Sequence, residues 1–217
     1  MQAGRVRVNG EVVSELGARI VPGEDTIELD GEVVSIPEAR WVAYYKPPGV
    51  LTTGSDPHAG KTIYDVLPDD FGGLRYVGRL DRDAEGLLIL TNDGDAAHTL
   101  QHPSAEVERE YWVEVAGTVQ PATVKRLVSG VELEDGPARA KAATLVEAGP
   151  VVSRLILVLT EGRKREVRRM LTSAGHAVQR LRRTRFGCVH LGDLDPGGWR
   201  ELTSEEREGL RVVRVIE

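Results

Sequence analysis

The sequence predicts an α+β protein built on a mixed, mainly antiparallel sheet flanked by helices. Three observations predict it. Stretches that alternate apolar and polar residues, such as Glu110 to Ala116, outnumber helical stretches. Strands and helices do not alternate regularly, as a doubly wound fold requires. Turn signals recur at short intervals: Asn9-Gly10, Asp30-Gly31 and Thr91-Asn92-Asp93-Gly94.

The elements follow in order. Arg5 to Val8 alternates, Asn9-Gly10 marks a hairpin, and Glu11-Val12-Val13 follows it. Val21-Pro22-Gly23 is a turn. Thr26 to Leu29 alternates again, and Asp30-Gly31 turns into Glu32-Val33-Val34. This opening part is too small for a large core of its own. Pro37-Glu38-Ala39 reads as a linker, giving a domain at 1–37 and a main domain at 38–217. In the main domain Trp41 to Tyr45 is a strand, ended by Lys46-Pro47-Pro48-Gly49. Asp56 to Gly60 is loop, Thr62 to Leu67 a short helix, and Arg75 to Val77 leads into Gly78-Arg79-Leu80-Asp81. Leu87 to Leu90 is an apolar run bounded by turn residues, hence a buried strand. Asp95 caps a helix through His102. Glu110 to Ala116 is a strand, and Pro121 to Ser129 a helix stopped by Gly130. Strands are expected at Arg139 to Val146 and Arg154 to Thr160, and a helix at Lys164 to Ala174, stopped by Gly175. Val178 to Phe186 is a basic strand. Ser204 opens a last helix, and Arg211 to Ile216 is a last strand.

Composition narrows the function classes. Apolar residues at 41% and charged residues at 29% are ordinary for a globular protein. No apolar run approaches the length of a membrane span, and Met1 to Gly10 has no apolar segment of a signal peptide. Cys188 is the only cysteine, so no internal disulfide forms, which fits a reducing compartment. No Cys/His cluster has zinc spacing, and the five histidines are scattered. The net charge is -6, but it is unevenly spread. Arg163 to Arg185 holds nine basic residues against Glu166 alone, a local +8; the rest carries 19 basic against 33 acidic residues. A concentrated basic patch on an acidic body suits contact with a phosphate backbone. A solvated helix face is the plainer alternative.

The candidate chemistry centres on Asp81. It sits in a polar loop ahead of the buried run Leu87 to Leu90, and rigid strands often carry catalytic loops. Arg79 and Arg82 flank it and favour its ionised form. From spacing alone, a turn cap or a structural ion pair remains open. So does a hydrolase using Asp81 and Asp83 as an acid/base pair, although a spacing of two can point the side chains apart and no setting that would raise a carboxyl pKa is evident.

Gly78-Arg79-Leu80-Asp81, followed by Glu85-Gly86-Leu87-Leu88-Ile89-Leu90-Thr91-Asn92-Asp93-Gly94, resembles the signature of the bacterial pseudouridine synthases that modify ribosomal RNA. Further segments are similar in the same order: Lys46 to Gly49, Glu110-Tyr111-Trp112-Val113, Glu161 to Met170, and Leu181 to Gly187 with Pro196-Gly197-Gly198-Trp199-Arg200. The resemblance runs from about residue 40 almost to the end. It implies that Asp81 is the essential aspartate, Tyr111 the tyrosine stacked on the target base, Arg168 the cation paired with the aspartate, and Val167 the apolar residue beside it. It also nominates Arg79, Lys46, Arg163, Lys164 and Arg165 as substrate-binding residues. The implied activity isomerises one uridine of ribosomal RNA after base flipping, with no cofactor and no metal. Arg163 to Met170 and Trp199-Arg200 look most like the large-subunit (23S) branch, and the implied setting is a cytoplasmic monomer acting on 23S RNA or a large-subunit precursor. Two positions depart from the pattern: Ala84 stands where threonine is frequent and Arg109 where lysine is common. The alternative is a non-catalytic RNA-binding or ribosome-assembly protein of the same fold, which would be expected to lack one of Asp81, Tyr111 and Arg168. Ala3 to Gly10 resembles the end of the second helix and the following hairpin of an S-four-type RNA-binding domain, so the first 37 residues are expected to be a truncated form of it.

Overall fold

Asn9-Gly10 and Asp30-Gly31 adopt positive φ at both residues (52° and 84°, 55° and 85°), the geometry of type I′ hairpin turns. They join β1 (Val6–Val8) to β2 (Glu11–Val12) and β3 (Ile27–Leu29) to β4 (Glu32–Val34). The four strands form an antiparallel sheet in the order β2-β1-β3-β4. The computed structural model describes residues 1–21, 24–35, 38–55 and 60–212. It divides into two compact units, Met1–Ala39 and Arg40–Glu217. Pro22 and Gly23 of the first turn, Pro37 of the linker and residues 56–59 of the Asp56 to Gly60 loop fall outside the described residues.

The second unit contains β5 (Trp41–Lys46), β6 (Arg75–Val77), β7 (Glu85–Thr91), α1 (Gly94–Gln101), β8 (Arg109–Ala116), α2 (Pro121–Ser129), β9 (Val131–Leu133), β10 (Gly136–Ala138), β11 (Ala142–Ala148), β12 (Val152–Leu159), α3 (Glu166–Ser173), β13 (Val178–Phe186), β14 (Val189–His190), β15 (Trp199–Glu201) and α4 (Ser204–Arg211). Nine strands make one sheet, ordered β11-β12-β8-β13-β7-β5-β15, with β6 on β7 and β14 on β13. Among the described residues, the β13–β7 pair is the one parallel ladder of this sheet. The expected mixed, mainly antiparallel α+β architecture is the one formed.

β5 and β7 are buried along their whole length, which explains the apolar runs Trp41 to Tyr45 and Leu87 to Leu90 within them. On one face Trp41, Leu87 and Ile89 join Phe186 and Leu210. On the other, Val42, Tyr44, Leu88 and Leu90 pack on Phe71. Each fully buried leucine or isoleucine here contributes roughly 1.5–3 kcal/mol. A third cluster lies where α2 and α3 cover β8 and β12, with Val113, Leu127, Leu155, Leu157 and Met170 inside.

Several boundaries differ from expectation for local reasons. α1 is capped by Asp93, whose carboxylate accepts from the Ala96 amide at 3.1 Å; Asp95 lies inside the first turn. α3 begins at Glu166 because Arg165 is left-handed (φ 52°) and cannot continue a helix back to Lys164. The Thr62 to Leu67 helix is one short 3₁₀ turn, Ile63–Asp65. The hairpin β9–β10 was not anticipated, although Glu134-Asp135-Gly136 carries a turn signal. The last expected strand is not formed at Arg211, which closes α4; residues 213–217 lie outside the described residues.

Candidate active site

Asp81 lies between β6 and β7, in a cleft of about 1670 Å³. Its backbone is clamped on both sides. Thr52 Oγ1 donates to the Leu80 carbonyl at 3.0 Å and accepts from the Leu80 amide at 3.3 Å. On the far side the Gly49 amide donates to the Arg82 carbonyl at 2.7 Å. Lys46 Nζ reaches the same carbonyl at 3.5 Å and also donates to the Val50 and Pro47 carbonyls at 2.8 and 3.0 Å. Each such bond contributes on the order of 1 kcal/mol and together they hold the loop's height above the sheet.

The Asp81 side chain, in contrast, is free. Its carboxylate is 30% exposed, and its one ion pair is a loose 3.8 Å contact with Arg165 Nη1. Among the described residues no hydrogen bond reaches its oxygens. A structural aspartate would be expected to cap or pair tightly; this one is fixed only through its main chain. Asp83 is the reverse case. It holds Arg165 at 3.2 Å and Arg168 at 3.0 Å, so it serves as an anchor and not as an acid/base partner of Asp81.

Tyr111, on β8, is half-buried against the third cluster and lines the same cleft. Val167 is buried in that cluster with Leu80 and Ala84, which packs α3 against the aspartate loop. The expected pairing of Arg168 with Asp81 is not formed. Arg168 is directed to Asp83 and to the Val178 carbonyl at 3.2 Å, and Arg165 is the arginine at Asp81. The left-handed turn at Arg165 is what brings its side chain round to the loop.

Lys46 is also not placed as a substrate-binding cation. It is fully buried beneath the loop, and burial pulls its pKa down to about 8. Its role in the free protein is to tie the Pro47 to Val50 turn to the aspartate loop.

The basic run Arg163 to Arg185 is largely neutralised from outside its own sequence. Arg163 pairs with Glu161 and Asp135, Arg169 with Asp135, Arg180 and Arg182 with Glu85, and Arg185 with Glu108 and Glu110. Arg180 and Arg182 also lie over Trp112, at 5.7 and 5.2 Å. Glu166, the one acid in the run, turns inward to the Arg163 amide, and its burial pushes its pKa up. Arg183 is buried. Lys164 is the run's exposed cation without a carboxylate partner among the described residues, and Arg79 and Arg139 share that condition on the same cleft. Arg139 and Thr52 carry no sequence signal: Arg139 belongs to the cleft only through the fold, and Thr52 acts on Leu80, 28 positions away.

Among the described residues, no group of three or more His, Cys, Asp or Glu side chains is arranged to hold a metal ion, and no helix is long and apolar enough to cross a membrane.

A main-chain-fixed carboxylate that shares an open cleft with a tyrosine and several unpaired cations suits chemistry on a polyanion. The comparisons agree. Residues 40–173 match the RNA pseudouridylate synthase family. The chain is 43% identical to ribosomal large subunit pseudouridine synthase B of Vibrio cholerae serotype O1, over 97% of this chain and 68% of that protein. It is 44% identical to the protein of the same name from Escherichia coli O6:H1, over 97% of this chain and 75% of that one. A crystal structure of a pseudouridylate synthase superposes with a TM-score of 0.72 at 31% identity, covering 96% of this chain and 90% of that one. The chain belongs to the RNA pseudouridylate synthase family and is an enzyme of that class.

Proposed function

We propose that this enzyme isomerises a specific uridine of large-subunit (23S) ribosomal RNA, as a monomer in the cytoplasm, with Asp81 as its catalytic carboxylate. The observation that carries the assignment of Asp81 is the division of labour in its loop: the main chain is held at Leu80 and Arg82, and the carboxylate is left free in the cleft. The choice of RNA rests on the large-subunit relatives.

The reaction breaks the bond from ribose C1′ to uracil N1, turns the ring and joins C1′ to C5; the C5 proton leaves and N1 gains one. Asp81 serves as nucleophile or as the counter-charge to the developing positive sugar. Tyr111 holds the detached ring by stacking. The uridine reaches Asp81 only after leaving its stack, and the cleft is open enough to take a flipped nucleotide. Arg165, with Arg168 behind it, is held by Asp83 within reach of Asp81 and orients that carboxylate when RNA is bound. Arg79, Arg139 and Lys164 take the phosphates. The small sheet of Met1–Ala39 is assigned to the hairpin part of an S-four-type domain that adds RNA contacts.

Mapping pseudouridine in ribosomal RNA from cells with and without the gene tests the function. One large-subunit uridine should lose its modification, and the purified protein should restore it; an unchanged map overturns the reading. RNA affinity should also fall steeply with salt. Replacing Arg79, Arg139 and Lys164 together by glutamine should lower the slope of log affinity against log salt by about 2 to 3. Arg169→Gln, which removes a residue already paired with Asp135, should leave the slope alone. An unaltered slope in the triple variant would count against these phosphate contacts.

A further inference from the structure

Across the β8–β13 ladder, the residue facing Tyr111 is Arg183. It is 1% exposed, among the largest fully buried side chains of the molecule. Its Nε donates to the Leu87 carbonyl at 2.7 Å, and its guanidinium lies 5.4 Å from the Phe186 ring centre. The other arginines of β13 all have carboxylates: Glu85 for Arg180 and Arg182, Glu108 for Arg185. Arg183 has none among the described residues, and its Nη2 is buried without a hydrogen-bond partner. The favourable neighbour of its guanidinium is the Tyr111 hydroxyl, through charge and a hydrogen-bonding contact already present in the free protein, while the guanidinium of Arg109 is an unfavourable one. Burial lowers its pKa.

A desolvated cation without a counter-ion is costly, and a buried donor without an acceptor adds to the cost. The sheet itself does not require it, since an apolar side chain would fill an inward strand position. Arg183 lines the same cleft as Asp81 and Tyr111. Hydrogen bonds of a catalytic site are often long in the free enzyme and tighten when substrate closes it.

We propose that Arg183 is a positioning residue for the isomerisation: when RNA fills the cleft, its Nη2 donates to the Tyr111 hydroxyl oxygen and fixes the phenol ring against the detached uracil. This rests on the stacking role proposed for Tyr111. It gives the unpartnered Nη2 an acceptor and accounts for arginine where the other inward residue of this strand stretch, Leu181, is apolar. Arg183 touches no reacting atom. It acts by restricting Tyr111.

The test is a double-mutant cycle on kcat and on RNA affinity, using the full chain and an unmodified large-subunit RNA. Arg183→Met should lower kcat by about 10²-fold, as expected for misplacing a group that holds the reacting ring, with RNA affinity within about two-fold of wild type. Tyr111→Phe keeps the ring but lacks the acceptor, and should lower kcat by a comparable factor. The double variant should be no worse than the more impaired single variant, because both remove one interaction. Arg183→Lys, which keeps the charge and one donor, should recover part of the lost rate and replaces Arg183→Met in the cycle if that variant does not fold. Losses in kcat that multiply in the double variant overturn the proposal while leaving the proposed function intact. A wild-type protein that forms no pseudouridine overturns both.

Discussion

Asp81→Asn should give a folded protein that binds RNA as wild type does and forms pseudouridine at least about 10³-fold more slowly, a barrier increase of ~4 kcal/mol or more. The substitution keeps shape and removes charge. Nothing in the loop depends on the carboxylate: Leu80 is held by Thr52, Arg82 by Gly49 and Lys46, and the only ion pair lost is the loose one to Arg165. Stability should therefore change by no more than about 0.5 kcal/mol. Single-turnover assays on unmodified RNA, with a melting curve and a binding isotherm, separate the three quantities. Asp83→Asn is the control. It frees Arg165 and Arg168, so it should weaken catalysis by disordering the site yet leave measurable product. Wild-type rates in Asp81→Asn, or complete loss in Asp83→Asn with Asp81→Asn active, would move the catalytic role to the wrong side of the loop for this account.

Gly86→Ala should be strongly damaging to the fold. Gly86 has φ +105°, a region L side chains rarely adopt, and it lies where β7 runs parallel to β13. A Cβ there would sit 2.3 Å from the Arg183 carbonyl oxygen and 2.8 Å from its amide nitrogen. Both obstacles are backbone, so no rotamer change relieves them. The strained φ costs of order 1–3 kcal/mol, and forcing the strands apart a further ~1–3 kcal/mol. The sum is a large part of the stability of an ordinary domain. For a chain of this size the melting temperature should fall by about 10 °C or more. Because the pair is the one that seats Arg183 behind Tyr111, activity should fall at temperatures where the protein is still folded. A melting temperature within a degree or two of wild type would mean the strands do not approach this closely.

These two residues differ in how far the sequence reveals them. Asp81 can be singled out in the sequence because the motif that carries the family resemblance is contiguous: the residues around it, the turn after it and the apolar strand that follows. Gly86 belongs to the same motif, but its reason lies at Arg183, 97 positions away. Lys46 illustrates the opposite error. The resemblance nominates it as a substrate-binding cation, yet the strand it ends is buried on both faces, and its ammonium folds under the loop to three carbonyls.

The sequence by itself determined the family motifs, the two type I′ hairpins at Asn9-Gly10 and Asp30-Gly31, the limits of α2 and the buried strand before α1. All of these depend on residues within a few positions of one another, where backbone preference and periodicity decide. Tertiary structure decided which charges remain available. The run from Arg163 to Arg185 appears as +8 along the chain, but folding delivers Asp81, Asp83, Glu85, Glu108, Glu110 and Asp135 to it. The exposed cations of the cleft left without a carboxylate partner among the described residues include Arg79, Arg139 and Lys164. On β13 the alternation of a strand separates neighbours completely: Arg182 faces Trp112 and Glu85 on one side of the sheet, and Arg183 is sealed behind Tyr111 on the other. Two adjacent arginines are equivalent in the sequence, and only the sheet's two faces give them different work.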